Sequence, residues 1–359
     1  MSRRRVMMLL ESASNIVSRF IERVSLDGGT LDNQVGLSSV DESSALTMLP
    51  NAYKNGTLYS VLPEDGTGDF DVVRGSSATR VDASGLIGMV SSNAPRIDYT
   101  DGTPSLLTEP QSTNLIVNSE LNNVENIVVS AVSHTISFYG TGSITLSGTH
   151  TDTLVGTGAS DRVSLTFTPT AGTLICTDSG SVDKKQVEAL SHATSYIPTS
   201  GAIATRLEDK VKGAGDTTTF NSTEGVLYFE GSALLDANGN RWMSLTDGTT
   251  SNYVILGFMS STGLVQAFVN GGGQNSVMPV GGITKTDVNK IAVRWSSSEA
   301  SIWVNGSVRN TSARSSSLSG LSQLDLGFNN SNELHARTKD LRVYPTALSD
   351  AELITLTTI

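Results

Sequence analysis

The groups in this sequence best able to do chemistry are carboxylates: 35 Asp and Glu stand against 24 Lys and Arg, with four His and one Cys. Cleaving a glycosidic bond needs two of them about 5–10 Å apart across the bond, and no pair here sits in a motif that sets such a spacing. No Ser-His-Asp set can be assembled. His134, His150, His192 and His335 fall near turns or strand ends, where solvent is expected to reach them. Cys176 closes the strand-like run Thr173-Leu174-Ile175-Cys176 and is expected to be a small buried hydrophobe, not a nucleophile. Gly271-Gly272-Gly273 lacks the Lys and the following helix of a phosphate loop. Asp236-Ala237-Asn238-Gly239-Asn240 has the alternating oxygen ligands of a calcium loop, but nothing supplies the distant bidentate Glu, so a turn explains it. Pro63 to Asp69 has the same explanation. The expectation is a protein that is not an enzyme and carries no cofactor or metal.

Binding chemistry is a different matter. A saccharide is held by an aromatic ring on its apolar face and by Asn, Asp or Arg on its hydroxyls. The three tryptophans, Trp242, Trp295 and Trp303, all lie in the last third of the chain. Trp295 shares a period-two face with Ile291 and Val293 and should point inward, whereas Trp303 alternates against Ile302 and Val304 and should lie on the outer face. The candidate glycan-binding residues are Trp303, Trp242, Tyr253, Asn252, Asn270, Asn275, Asn329 and Asn330, whose loops have the polar adaptability of a recognition rim.

The elements that position these residues follow from composition. Ser and Thr together number 90 and Gly 34 in a 359-residue chain that is only 16% charged. Thr favours strands while Ser and Gly favour turns, so the chain should be mainly β. A net charge of −11 argues against a duplex nucleic-acid partner. No apolar run approaches the roughly 18 residues of a membrane span. Val6 to Leu10 is too short, and Glu11 too close, for a secretion signal, so assembly in a cytoplasm is expected.

The first segment is different. Leu9, Leu10, Ala13, Ile16, Val17, Phe20, Ile21 and Val24 recur at three- and four-residue steps, predicting an amphipathic helix stopped at Asp27-Gly28-Gly29. Leu10, Ala13, Ile16, Val17, Phe20, Ile21 and Val24 form its apolar stripe. Either the stripe docks on another protein or the helix folds back on its own domain; a basic membrane-surface helix is a third reading, disfavoured because Glu11 and Glu22 dilute the charge. A second short helix is predicted from Asp41 to Leu49, between an N-cap and Pro50.

From Tyr53 onward the text is short strands and turns. The run Ser77-Ala78-Thr79-Arg80-Val81-Asp82-Ala83-Ser84-Gly85-Leu86-Ile87, then Ala94-Pro95-Arg96-Ile97-Asp98-Tyr99, then Pro104 to Leu115 resembles a segment found in structural proteins of tailed bacteriophages. The usual phrase has Arg where this chain has Ser112, a departure that would alter a local ion pair. Arg80 with Asp82, and Arg96 with Asp98, fall on one strand face each and suggest ion pairing that pins register. Lys185 to Gly201 is similar to the closing strand of phage modules akin to carbohydrate-binding modules, without their spaced tryptophans. Residues 216–359 resemble the concanavalin A-like, laminin-G-like jelly rolls. Asn305-Gly306 predicts a hairpin turn, and the telling part of the resemblance is the ending, a last strand leading to a helix capped by Ser349.

These resemblances imply four parts. Residues 1–50 are a helical virion-docking segment and 51–118 a β-rich collar. Residues 119–212 are a small carbohydrate-binding-module-like β-sandwich, and 213–359 a jelly-roll lectin domain. They imply a virion-surface protein of a fibre or appendage, in contact with other virion proteins and with host cell-surface polysaccharide. A homo-oligomer, favouring a trimer, goes with that reading. The alternative is a purely architectural capsid decoration, neck or tail component.

Overall fold

The three- and four-residue periodicity of the first segment folds as α1 (Arg3–Leu26). Gly28 ends it in the left-handed region at φ 70°, and Gly29 N–H bonds back to the Val24 carbonyl at 2.8 Å. In the computed structural model, residues 3–32, 34, 36–37, 40–234, 239–260, 263–329 and 331–359 are described, with side chains from Ser14 onward. Phe20 and Val24 are fully buried against Leu37, Leu49, Tyr59 and Val61, with Ile16 and Val17 packed beside them and Ile21 half-buried. From Ile16 to Val24 the stripe covers this chain's own core, as the fold-back reading has it. Leu10 and Ala13 lie outside the described side chains.

Ten short strands follow: β1 (Thr30–Leu31), β2 (Leu46–Met48), β3 (Ala52–Lys54), β4 (Thr57–Leu58), β5 (Phe70–Val73), β6 (Ala78–Val81), β7 (Ile87–Val90), β8 (Ile97–Asp98), β9 (Ser105–Thr108) and β10 (Ser112–Asn114). The middle sandwich comprises β11 (Val124–Val129), β12 (His134–Gly140), β13 (Ser143–Gly148), β14 (Asp152–Val155), β15 (Gly158–Phe167), β16 (Gly172–Ser179) and β17 (Asp183–Glu188). Two return strands, β18 (Ala204–Arg206) and β19 (Lys210–Lys212), lead into the last part. There β20 (Gly225–Ala233), β21 (Arg241–Thr246), β22 (Tyr253–Phe258), β23 (Val265–Gly271), β24 (Gln274–Val280), β25 (Asn289–Trp295), β26 (Glu299–Val304), β27 (Ser307–Ala313), β28 (Gln323–Asp325) and β29 (Ala336–Tyr344) precede α2 (Asp350–Thr357).

The fold is mainly β, as the Thr, Ser and Gly content predicts. In the middle sandwich the sheet β11-β16-β13-β14 faces the sheet β15-β12-β17 over Ile127, Ile136, Phe138, Ile144, Leu174 and Cys176. Cys176 is buried, as its strand context predicts. The larger sandwich stacks β24-β23-β22-β21-β28 on an eight-stranded sheet, β27-β26-β25-β20-β29-β9-β8 with β2 also on β29. Segments far apart in sequence share that sheet. β29 takes β20 on one edge, and β9 and β2 end to end on the other.

The predicted Asp41–Leu49 helix does not form. Asp41 instead caps a turn, its carboxylate accepting from Ser43 N–H at 3.0 Å. Leu46 and Met48 then enter the large core as a strand paired to Val343 and Leu341. Long-range pairing of two core residues outweighs a local capping signal. Asn305 and Gly306, at φ 51° and 80°, make the expected hairpin turn between β26 and β27. Ser349 caps α2, with the reciprocal Glu352 contact of a capping box.

Arg74, Arg96, Arg206, Glu109 and Asp209 form a buried ionic cluster. Arg74 meets Asp209 at 2.8 Å and Arg96 meets Glu109 at 2.6 Å; Arg96 also pairs with Asp209, and Arg206 with Glu109. Burial pushes the Glu109 and Asp209 carboxyls up, but the guanidiniums beside them prevail and hold both well below the usual carboxylate range. Of the two Arg and Asp pairs read from the sequence, all members but Asp82 take distant partners. Arg80 binds Asp32 at 2.8 Å, Asp98 binds Arg337 and accepts from Val81 N–H, and Asp82 caps the turn at Ser84. Ser112 faces Arg206 across β10 and β18 and donates to Glu188 at 2.6 Å.

Candidate functional site

Alternate side chains of β21 to β24 leave the large core and make the outer face of the five-stranded sheet. Register sets them in rows. Trp242, Gly257, Gln266 and Pro279 make one; Asp325, Ser244, Ile255, Phe268 and Val277 the next; Gln323, Thr246, Tyr253, Asn270 and Asn275 the third. On this face Trp242 lies 5.7 Å from Phe268 and 5.6 Å from Phe328, centroid to centroid, and Tyr253 meets Phe328 edge-on at 5.2 Å. All four rings are half-buried. Gly257 is what lets the indole lie over the sheet, since a Cβ there would come within 2.5 Å of Trp242 Cδ1. The indole N–H is buried with no hydrogen-bond partner among the described residues.

The face runs into a cleft of about 660 Å³ lined by Asp71, Lys212, Gln323, Asp325, Phe328 and Asn329, among others. The cleft lies on a seam. Ala214 and Leu324 exchange backbone hydrogen bonds at 3.2 and 2.8 Å, and Leu326 N–H reaches the Val211 carbonyl at 2.9 Å. The sheet holding β5 and β19 thus abuts β28. Asp71 and Lys212 are direct partners across β5 and β19. Gly213, at φ 84°, turns its N–H to Asp325 Oδ1 at 2.7 Å, while Gln323 Nε2 donates to both Asp325 oxygens at 2.8 Å. Burial pushes the Asp325 carboxyl up, opposed by the Gln323 and Gly213 hydrogen bonds and by the Lys212 charge.

Of the sequence candidates, Trp242, Tyr253, Asn270 and Asn275 share this face, and Asn329 lines the cleft. Asn252 ties loops together, donating to Asp247 at 2.8 Å and accepting from Ser319 N–H at 3.2 Å. Trp303 is elsewhere. It does point away from the core, but α2 covers it: it is 4% exposed, packed with Tyr228, Tyr344 and Leu353, its N–H on Ser301 Oγ at 3.2 Å. Alternation sets a side chain's face but not what later chain lies over it. Trp295 points inward as predicted. Asn330, like residues 236–238 of the calcium-like spacing, lies outside the described residues. Asp65 accepts from Thr67 N–H at 3.0 Å, closing the expected turn. Among the described residues no group of three or more His, Cys, Asp or Glu could hold a metal ion.

Sequence reasoning missed Phe268, Phe328, Gln323, Asp325, Asp71 and Lys212. Phe268 had a signal, alternating with inward Val265, Ala267 and Val269; Asp71 and Lys212 had none, because only the pairing of β5 with β19 unites them. The histidines also differ from expectation, His134 and His335 being 1% and 2% exposed. His150 stacks on Phe167 at 4.6 Å, and His335 Nε2 meets Glu208 at 3.1 Å. Aromatic and carboxylate neighbours enclose rings that the local turns would have left in solvent.

No family model and no curated protein matches the chain. Among solved structures, the carbohydrate-binding module CBM40 of the Ruminococcus gnavus IT-sialidase, bound to α2,3-sialyllactose, is 18% identical over 41% of this chain and 88% of that one, at TM-score 0.33. Domain 4 of AbnA, an arabinanase from Geobacillus stearothermophilus in complex with arabinotriose, is 13% identical over 46% and 82%, at TM-score 0.35. The Caenorhabditis elegans galectin LEC-6 is 12% identical over 34% and 85%, at TM-score 0.27.

Proposed function

We propose that this chain is a glycan-binding structural protein of a tailed-phage virion, an appendage adhesin whose contact surface is the outer face and seam cleft of the larger sandwich. One observation carries the binding half: Trp242, Phe268, Tyr253 and Phe328 cluster on a sheet face beside rows of Asn, Gln, Ser and Asp. Aromatic rings supply apolar contact for sugar C–H faces and the amides and carboxylates supply hydroxyl partners. The phage half rests on the wording of residues 77–115. Copy number on a particle would multiply weak contacts into adhesion.

The reading is binding without turnover.

An architectural role is favoured by a different observation. The outer face of β11-β16-β13-β14 presents Val124, Asn126, Val128, Thr145, Thr153, Val155, Thr173 and Thr177, all exposed and uncharged, with Val128 81% exposed. A flat face without charge suits contact with another virion protein.

The test is direct binding of the full chain to a glycan array and to host-type polysaccharides, with Trp242→Ala beside it. Binding that the variant loses supports the adhesin. Silence across the array favours architecture, and reducing ends released on long incubation would refute the non-enzymatic reading.

A further inference from the structure

We infer that the seam cleft selects uncharged saccharides and disfavours acidic ones, with Asp71 and Asp325 as the discriminating groups. This rests on the glycan-binding reading above and specifies its ligand class.

The charges that face the cleft are two carboxylates and one ammonium, Asp71, Asp325 and Lys212. Asp71 is exposed and takes part in no ion pair among the described residues, so its oxygens are open to a ligand hydroxyl. Asp325 is half-buried and held in place by the Gly213 N–H and the Gln323 amide. Carboxylates accept only, so each suits a sugar O–H donor, and charge-assisted hydrogen bonds of this kind are the stronger sort. A ligand carboxylate brought to the same place would meet two like charges, with only Lys212 to answer it. No arginine lines the cleft to grip a carboxylate bidentately. Phe328, edge-on to Tyr253 at the cleft wall, gives the sugar ring its apolar contact.

The cleft is also composite. Asp71 stands on β5 and Lys212 on β19, so residues 213–359 by themselves lack two of its three charged groups. Selectivity is a property of the seam and belongs to the full chain.

The experiment uses the full chain, a panel of neutral oligosaccharides, and the same oligosaccharides bearing a terminal sialic or uronic acid, with affinities measured at low and at physiological salt. The acidic partners should bind at least ten-fold more weakly, with the gap widening at low salt, where screening is least. Asp71→Asn and Asp325→Asn should each weaken neutral binding and narrow the gap; Asp71 is exposed, so its variant carries the test if Asp325→Asn fails to fold. Lys212→Gln should keep or widen the gap. Acidic saccharides bound as well as or better than neutral ones would overturn the inference while leaving glycan binding intact, as would a gap unchanged in both Asp variants. If neither class binds, the glycan-binding reading itself falls.

Discussion

Asp209→Asn leaves three buried guanidiniums facing one carboxylate. Asp209 accepts from Arg74 at 2.8 Å, from Arg96, and from Glu109 N–H at 3.0 Å. An amide of the same size would keep the shape but turn a donor or a neutral oxygen toward two cations. Removing one partner of a buried ion pair costs about 3–5 kcal/mol. The lower end applies here, because Arg74 keeps carbonyl partners at Ser76, Ala94 and Ser91, and Arg96 keeps Glu109. The assay is urea unfolding followed by far-UV circular dichroism, with a lower midpoint at unchanged slope as the signature of lost stability. Asp350→Asn is the built-in comparison. Its pair with Arg294 is 69% exposed on the Asp350 side and should be worth at most about 1 kcal/mol. If Asp209→Asn costs no more than Asp350→Asn, the cluster does not hold the fold as described.

Trp303→Ala should cost about 3–5 kcal/mol, the loss of a large buried ring, while leaving glycan affinity of the folded protein unchanged, as thermal unfolding and array binding would show. Ser349→Ala should weaken α2 by about 0.5–2 kcal/mol through its lost N-cap, and a red shift of Trp303 fluorescence would report the uncovering. Acid should unfold the protein at the ionic cluster. Glu109 and Asp209 titrate below their ordinary values of 4.5 and 3.8 in the fold, so their contribution is full above those values and is lost as pH falls beneath them. A stability profile flat between pH 5 and pH 2 would contradict that.

Local pattern carried much of this fold. The apolar stripe of α1, the Ser349 cap, the Asn305-Gly306 turn and the inward Trp295 all follow from nearest-neighbour chemistry, which is the same in a peptide and in a protein. What was hidden is what distant segments do to one another. Asp41 to Leu49 has a capping residue and a stop, yet β29 claims Leu46 and Met48. Trp303 alternates outward, yet α2 arrives later to cover it. Part of the candidate site was legible, because Trp242, Tyr253, Asn270 and Asn275 lie on one run of strands. Asp71 and Lys212 were not, because a seam between sheets leaves no mark on either segment alone.

The placement of β29 has a consequence for how the molecule comes into being. Leu46 waits for Val343 and Leu106 for Thr338, so β2 and β9 each lack one neighbouring strand until nearly all of the chain has been synthesised. Contacts of such long sequence separation form slowly. A ribosome that stalls before residue 336 leaves a product in which Leu46, Met48 and Leu106 lack their β29 partners, a state open to proteases and aggregation.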